Sequence, residues 1–167
     1  SSTIGVQNIA HTNGTVAATV DSGGNIAMAS GKTFSATGAV LQVVSGSLTT
    51  QSVAISNSWY DLVTLNITPL SVNSKILIMG SIQIDTSSSS TAAQGSIRVM
   101  KGSTNIGYSS YLAESARLRW AYPYQFLDSP NSTTQQTYIL QIIEDAGTTV
   151  VNQESGMTTL TLMEIGG

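Results

Sequence analysis

In the first sixty residues only Asp21 and Lys32 carry a charge; the other thirteen charged side chains lie between Asp61 and Glu164. A chain so poor in ions must present hydroxyls to water where other proteins present Lys and Glu. The sequence does this with 25 Ser and 21 Thr among 167 residues, alongside a hydrophobic fraction of 41%. Thr favours strands, whereas Ser and the 15 Gly favour turns. The expectation is an all-β structural protein.

The same scarcity removes several functions. Six basic residues against nine acidic ones leave a net charge of −3, with no Lys/Arg cluster to neutralise phosphates, so no nucleic-acid partner is expected. Without Cys there is no disulfide framework, thiolate metal site or thiol nucleophile. No apolar run approaches the roughly 18 residues of a spanning helix, so no membrane insertion is expected. The stretch Ser1–Ala10 has neither a basic region nor a long apolar core, and reads as no signal peptide.

Punctuation divides the chain into residues 1–38 and 39–167. Turn signals fall at Asn13-Gly14, Ser22-Gly23-Gly24-Asn25, Ser30-Gly31 and Gly38, with short β-compatible pieces between them (Thr15–Asp21, Asn25–Ala29 and Thr33–Thr37). Their apolar residues are few and small. One copy buries too little to offset its ordering entropy, so the segment is expected to be an extended, strand-rich stalk or attachment arm ordered against other chains.

From Ala39 the strand signals strengthen. In Lys75–Asp85, Ile76, Ile78, Ile82 and Ile84 share one face, while Leu77, Met79, Ser81, Gln83 and Asp85 take the other. Further strands are read around Val40–Val44, Val53–Ile55, Val63–Ile67, Ile97–Val99, Leu118–Phe126, Tyr138–Ile143 and Thr158–Ile165. Such spacing predicts an antiparallel β-sandwich or jelly-roll knob. Thr86–Ala93 reads as a Ser/Thr loop, and Ser110–Ala116 raises the one suspicion of a helix, though it is short and has no convincing apolar stripe.

Several phrases resemble fibre or spike proteins of tailed bacteriophages, especially marine ones. They are Asn8-Ile9-Ala10-His11-Thr12-Asn13-Gly14-Thr15, Thr19-Val20-Asp21-Ser22-Gly23-Gly24-Asn25 and Val40-Leu41-Gln42-Val43-Val44. Ile67-Thr68-Pro69, Ser74-Lys75-Ile76-Leu77-Ile78, Phe126-Leu127-Asp128-Ser129-Pro130 and Thr161-Leu162-Met163-Glu164-Ile165 complete the set. The resemblance implies a non-enzymatic virion protein, a homotrimer with a slender N-terminal part and a β-rich knob. Residues 1–38 would attach it to other virion proteins of the tail or capsid, and the knob would bind a host surface glycan or receptor. A capsid decoration protein or head fibre is the alternative, and a polysaccharide-degrading spike the third.

The candidate chemistry is sparse. His11 is the single histidine and sits in the least packable segment, with no Gly-x-Ser-x-Gly elbow to partner it. No catalytic residue, metal ligand or cofactor is assigned. Asp21 and Asn25 around two glycines read as a hairpin turn, since calcium needs six or more oxygens. Carboxylate pairs drawn from Glu114, Asp128, Glu144, Asp145 and Glu154 have no spacing that fixes a distance.

The aromatic stretch is more informative. Trp120, Tyr122 and Tyr124 share strand parity with Leu118 and Phe126, so they are assigned, with Ile76, Ile78, Ile82 and Ile84, to the core or a subunit interface. Pro123 places that strand at an edge or a bulge. Tyr108 and Tyr111, read as lying in a Gly/Ser-flanked connection, are the glycan-binding candidates, with Arg117 and Arg119. The two arginines are expected to be exposed, or to pair across a subunit boundary with Glu114 or Asp128.

Overall fold

The structure is a computed structural model that describes residues 5–30, 32, 36–53, 57–86, 93–113 and 118–167. It divides into two units, Ser1–Ala36 and Thr37–Gly167.

The first unit is a three-stranded antiparallel sheet of β1 (Asn8–Ala10), β2 (Val16–Val20) and β3 (Ile26–Met28), in that order. Asp21 closes the β2–β3 hairpin. Its carboxylate accepts the N–H groups of Gly23 and Asn25 at 2.8 and 2.9 Å and the Asn25 Nδ2 at 3.0 Å. Period-2 alternation puts Val16, Ala18, Val20, Ile26 and Met28 on one face, with Ile9 opposite Ala18. Only Ala18 is buried there; Ile9, Ile26 and Met28 are 45%, 66% and 39% exposed. Ile4 and Phe34 lie outside the described residues, as does most of Thr33–Thr37.

The second unit contains β4 (Val40–Leu48), β5 (Ser52–Val53), β6 (Tyr60–Ile67), β7 (Lys75–Thr86), β8 (Ala93–Lys101), β9 (Thr104–Ala113) and β10 (Leu118–Asp128). It ends with β11 (Gln136–Ala146), β12 (Thr149–Val151), a 3-10 turn at Gln153–Ser155 and β13 (Thr158–Ile165). Leaving aside the short β5 and β12, the eight long strands pair first with last, second with seventh, third with sixth and fourth with fifth. The ladders are β4–β13, β6–β11, β7–β10 and β8–β9, all antiparallel. The pairs alternate between two sheets, ordered β4-β13-β7-β10 and β6-β11-β8-β9, and this is the jelly roll. β12 and β5 extend the first sheet alongside the end of β7.

Rows of facing residues explain why the strands choose these registers. Val44, Leu162, Ile78 and Phe126 line up across the first sheet, as do Gly46, Leu160, Gly80 and Tyr124. Ile76, Ile78, Ile82 and Ile84 are all fully buried, against Tyr138, Leu140, Ile142, Ile97 and Val99 from the opposite sheet. A Cβ on Gly80 would collide with the Thr159 carbonyl and the Tyr124 hydroxyl. The missing side chain lets Tyr124 pass and donate to that carbonyl at 2.6 Å. Among the described residues β10 pairs on one edge only, in unbroken register through Pro123, so it is an edge strand without a bulge.

Two local expectations are corrected. Residues 110–113 belong to strand β9 and not to a helix; 114–117 lie outside the description. For the same reason Tyr108 and Tyr111 sit on a strand, not in a connection. The Ser/Thr stretch 87–92 and Ile55 also fall outside the described residues.

Candidate functional site

The three described candidate binding residues, Tyr108, Tyr111 and Arg119, do not come together. Arg117 lies outside the described residues. Tyr111 faces inward from β9, 4% exposed, and donates its hydroxyl to Thr149 Oγ1 at 3.1 Å. Burial pushes its hydroxyl up to about 12. It packs edge-on against Trp120 and Tyr122, with centroids 6.2 and 6.4 Å away, which leaves no ring face for a ligand. Trp120 and Tyr122 line the core and Tyr124 is buried within it.

Arg119 is engaged inside its own chain. It stands directly opposite Asp85 in the β7–β10 ladder, donates through Nε and Nη2 at 2.7 Å each, and reaches Glu154 through Nη1 at 2.5 Å. The bonds to Glu154 and then Asp85 hold its pKa well above the ordinary guanidinium value. Glu114 lies outside the described residues, and Asp128 is committed to Lys101 Nζ at 2.7 Å and the Tyr138 hydroxyl at 2.6 Å. In place of the expected pairing across a subunit boundary, Arg119 makes an internal cross-strand pair with Asp85, which is fully buried directly opposite it.

The remaining candidate, Tyr108, belongs to a different constellation, on the outer face of the second sheet. Strand parity brings Asp61 from β6, Gln141 from β11, Arg98 and Ser96 from β8, and Tyr108 and Ser110 from β9 onto that face, and Trp59, just before β6, joins them. The Arg98 guanidinium lies 3.9 Å from the centroid of the Trp59 ring. Tyr108 meets the same indole edge-on at 6.1 Å. Gln141 accepts from Arg98 Nε at 2.7 Å and donates to Asp61 Oδ1 at 2.5 Å, so Asp61 fixes which end of the amide faces the arginine. Ser96 Oγ and the Tyr108 hydroxyl are 2.6 Å apart, and Ser96 also reaches Ser110 at 3.2 Å. Tyr108 is 54% exposed. Chemically this is a flat platform: an exposed ring beside a guanidinium whose orientation is set from two sides. Trp59 and Arg98 could have been suspected from the sequence only once Arg98 and Tyr108 were known to be cross-strand neighbours.

A second polar group lies inside the sandwich. Glu144, on the inward face of β11, is 3% exposed; Oε1 has no hydrogen-bond partner, and burial raises its pKa despite the bond from the Thr149 N–H. Asp145 beside it is exposed, so the two do not form a catalytic pair. His11 is exposed in the β1–β2 turn, and its ring Nδ1 accepts from the Asn13 N–H at 3.3 Å. Among the described residues no group of three His, Asp or Glu side chains is placed to hold a metal ion, and no helix is long and apolar enough to cross a membrane.

No protein-family profile and no curated protein matches the chain. Among solved structures, the chain is similar to the infectious bursal disease virus Gx strain structure, with 14% identity, a TM-score of 0.45, and coverage of 75% of this chain and 32% of that one. It is also similar to that virus's VP2 subviral particle, at 13% identity, TM-score 0.42 and coverage of 75% and 37%. The structure of its T13 viral particle is similar at 12% identity, TM-score 0.42 and coverage of 86% and 42%. The chain thus spans between about a third and two fifths of the length of those chains.

Proposed function

We propose that this chain is a non-enzymatic structural component of a virion, a trimeric fibre or spike whose jelly-roll knob meets the host surface. The observation that carries this reading is the first unit. Its sheet has an apolar face of Ile9, Val16, Val20, Ile26 and Met28 that its own three strands leave mostly uncovered. A sheet of three short strands holds only when something packs on such a face. The segment is uncharged apart from Asp21 and Lys32, so copies of it pack together without burying an ion. Copies of the chain and neighbouring virion proteins are the partners this surface fits.

The knob adds a second uncovered apolar surface. Val43, Met163, Leu77 and Leu127 form a row across all four long strands of the first sheet on its outer side, with Val43 and Leu127 54% and 55% exposed. Ser45, Ser47, Thr159 and Thr161 flank it on one side and Lys75 on the other. The resemblance to phage fibre proteins and the jelly-roll strand order point the same way. The test is to add purified chain to susceptible cells and to particles stripped of it. Blocked adsorption of the intact virus is the expected result. Rebinding to stripped heads without any block would assign the chain to the shell instead.

A further inference from the structure

On the outer-face platform the Arg98 charge has no carboxylate partner among the described residues. Arg98 Nε is bonded to the Gln141 amide, but its Nη groups meet no carboxylate: the described acid partners of basic side chains are Asp128 for Lys101 and Asp85 and Glu154 for Arg119. Asp61, the nearest acid in the network, is reached only through Gln141. A guanidinium stacked on an indole and held at Nε keeps its terminal N–H fork free and pre-oriented, the geometry that recognises a carboxylate with two parallel hydrogen bonds.

From this we infer that Arg98, Trp59 and Tyr108 form a binding site for a carboxylated sugar, a uronic- or sialic-type residue of a surface polysaccharide. The carboxylate takes the Arg98 fork. The apolar face of the sugar ring lies on the exposed Tyr108 ring, which its bond to Ser96 holds in place. Ser110 and Gln141 stand within the same patch to meet ring hydroxyls. Trp59 is the platform under the arginine and is already covered by it on that face. An acidic peptide would satisfy the fork but leave Tyr108 unused. The inference deepens the surface-binding part of the proposed function and names its ligand class.

Calorimetric titration of the full chain with oligogalacturonate tests it, with the methyl-esterified oligomer and poly-glutamate as controls. The expected result is binding to oligogalacturonate that weakens about tenfold or more on esterification, and likewise in Arg98→Lys, which keeps the charge but loses the fork. Tyr108→Ala, with an unchanged melting temperature, should weaken oligogalacturonate as strongly. Equal affinity for the methyl ester, poly-glutamate bound as tightly as oligogalacturonate, or full binding by either folded variant would overturn the assignment. No binding of oligogalacturonate by a chain that still blocks adsorption sinks this site alone. Binding by a chain that blocks nothing sinks the host-surface reading and leaves the site standing.

Discussion

Glu144 enters the core with one carboxylate oxygen bonded to the Thr149 N–H and the other bare. Its raised pKa means that the folded state holds its proton more tightly than the unfolded chain. The resulting penalty is absent below the unfolded value, near 4.5, and grows as pH rises through the folded one. Glu144→Gln keeps an acceptor for Thr149 without the buried charge. It should be as stable as the parent near pH 4 and more stable at pH 8 by about 1–2 kcal/mol. Thermal melts across that range check this, and a variant that melts below the parent at pH 8 would refute it. Arg119 behaves in the opposite sense, since it neutralises the fully buried Asp85. Arg119→Ala should lower the melting temperature, with Arg119→Lys recovering part of the loss; an unchanged melt for the alanine variant would mean that the ion pair contributes nothing. Neither role was legible in the sequence. Asp85 sits at a solvent parity and Glu144 beside a turn, and only the ladder shows β10 covering one and the sandwich enclosing the other.

Among the strands, β7 was readable because its two faces differ so sharply. Ile76, Ile78, Ile82 and Ile84 alternate with polar or half-buried residues and are all fully enclosed. Ile78→Asp would place a carboxylate between Leu162 and Phe126 in the central row, and should cost at least about 4 kcal/mol. Loss of soluble, folded chain on expression is the expected outcome, and a folded variant would show that the row is not closed. Strand β9 escaped notice for a physical reason. Between Ile106 and Tyr111 its inward positions are Gly107 and Ser109, too small or polar to read as a core face. The volume is supplied from the other sheet, where the Phe126 ring occupies the space a Cβ on Gly107 would need and the Tyr122 hydroxyl bonds Ser109 at 2.5 Å. An apolar stripe can be missing from a strand when its partner's aromatics fill the gap.

At the scale of the molecule, the turn-rich stretch ends at Gly38, close to the unit boundary at Ala36/Thr37, whereas the charge rises only from Asp61. The eight-strand wiring was not legible beyond its class, because periodicity shows faces and not partners. The two units differ in what they need. The knob encloses its own core, whereas the first unit exposes its apolar face. A chain beginning at Thr37 should therefore melt as the full chain's knob does but run as a monomer, while the full chain runs as a trimer; mass photometry of both decides. A full-length monomer whose first 36 residues resist protease would contradict it.

The jelly-roll wiring also sets when the knob can form. The interior strand β13 joins β4 to β7, pairing Leu48 with Thr158 and Ile78 with Leu162, yet it is synthesised after every other strand of the knob. On the ribosome, β4 and one edge of β7 emerge with their hydrogen-bonding groups open and stay so until residues 158–165 leave the exit tunnel. Closure thus waits on pairing between the two ends of the knob, and such long-range pairing is slow. During that interval neighbouring nascent chains compete for the open edges, and one copy's β13 can complete another copy's sheet. The rate of synthesis and the local concentration of sister chains therefore bear on correct folding through those open edges.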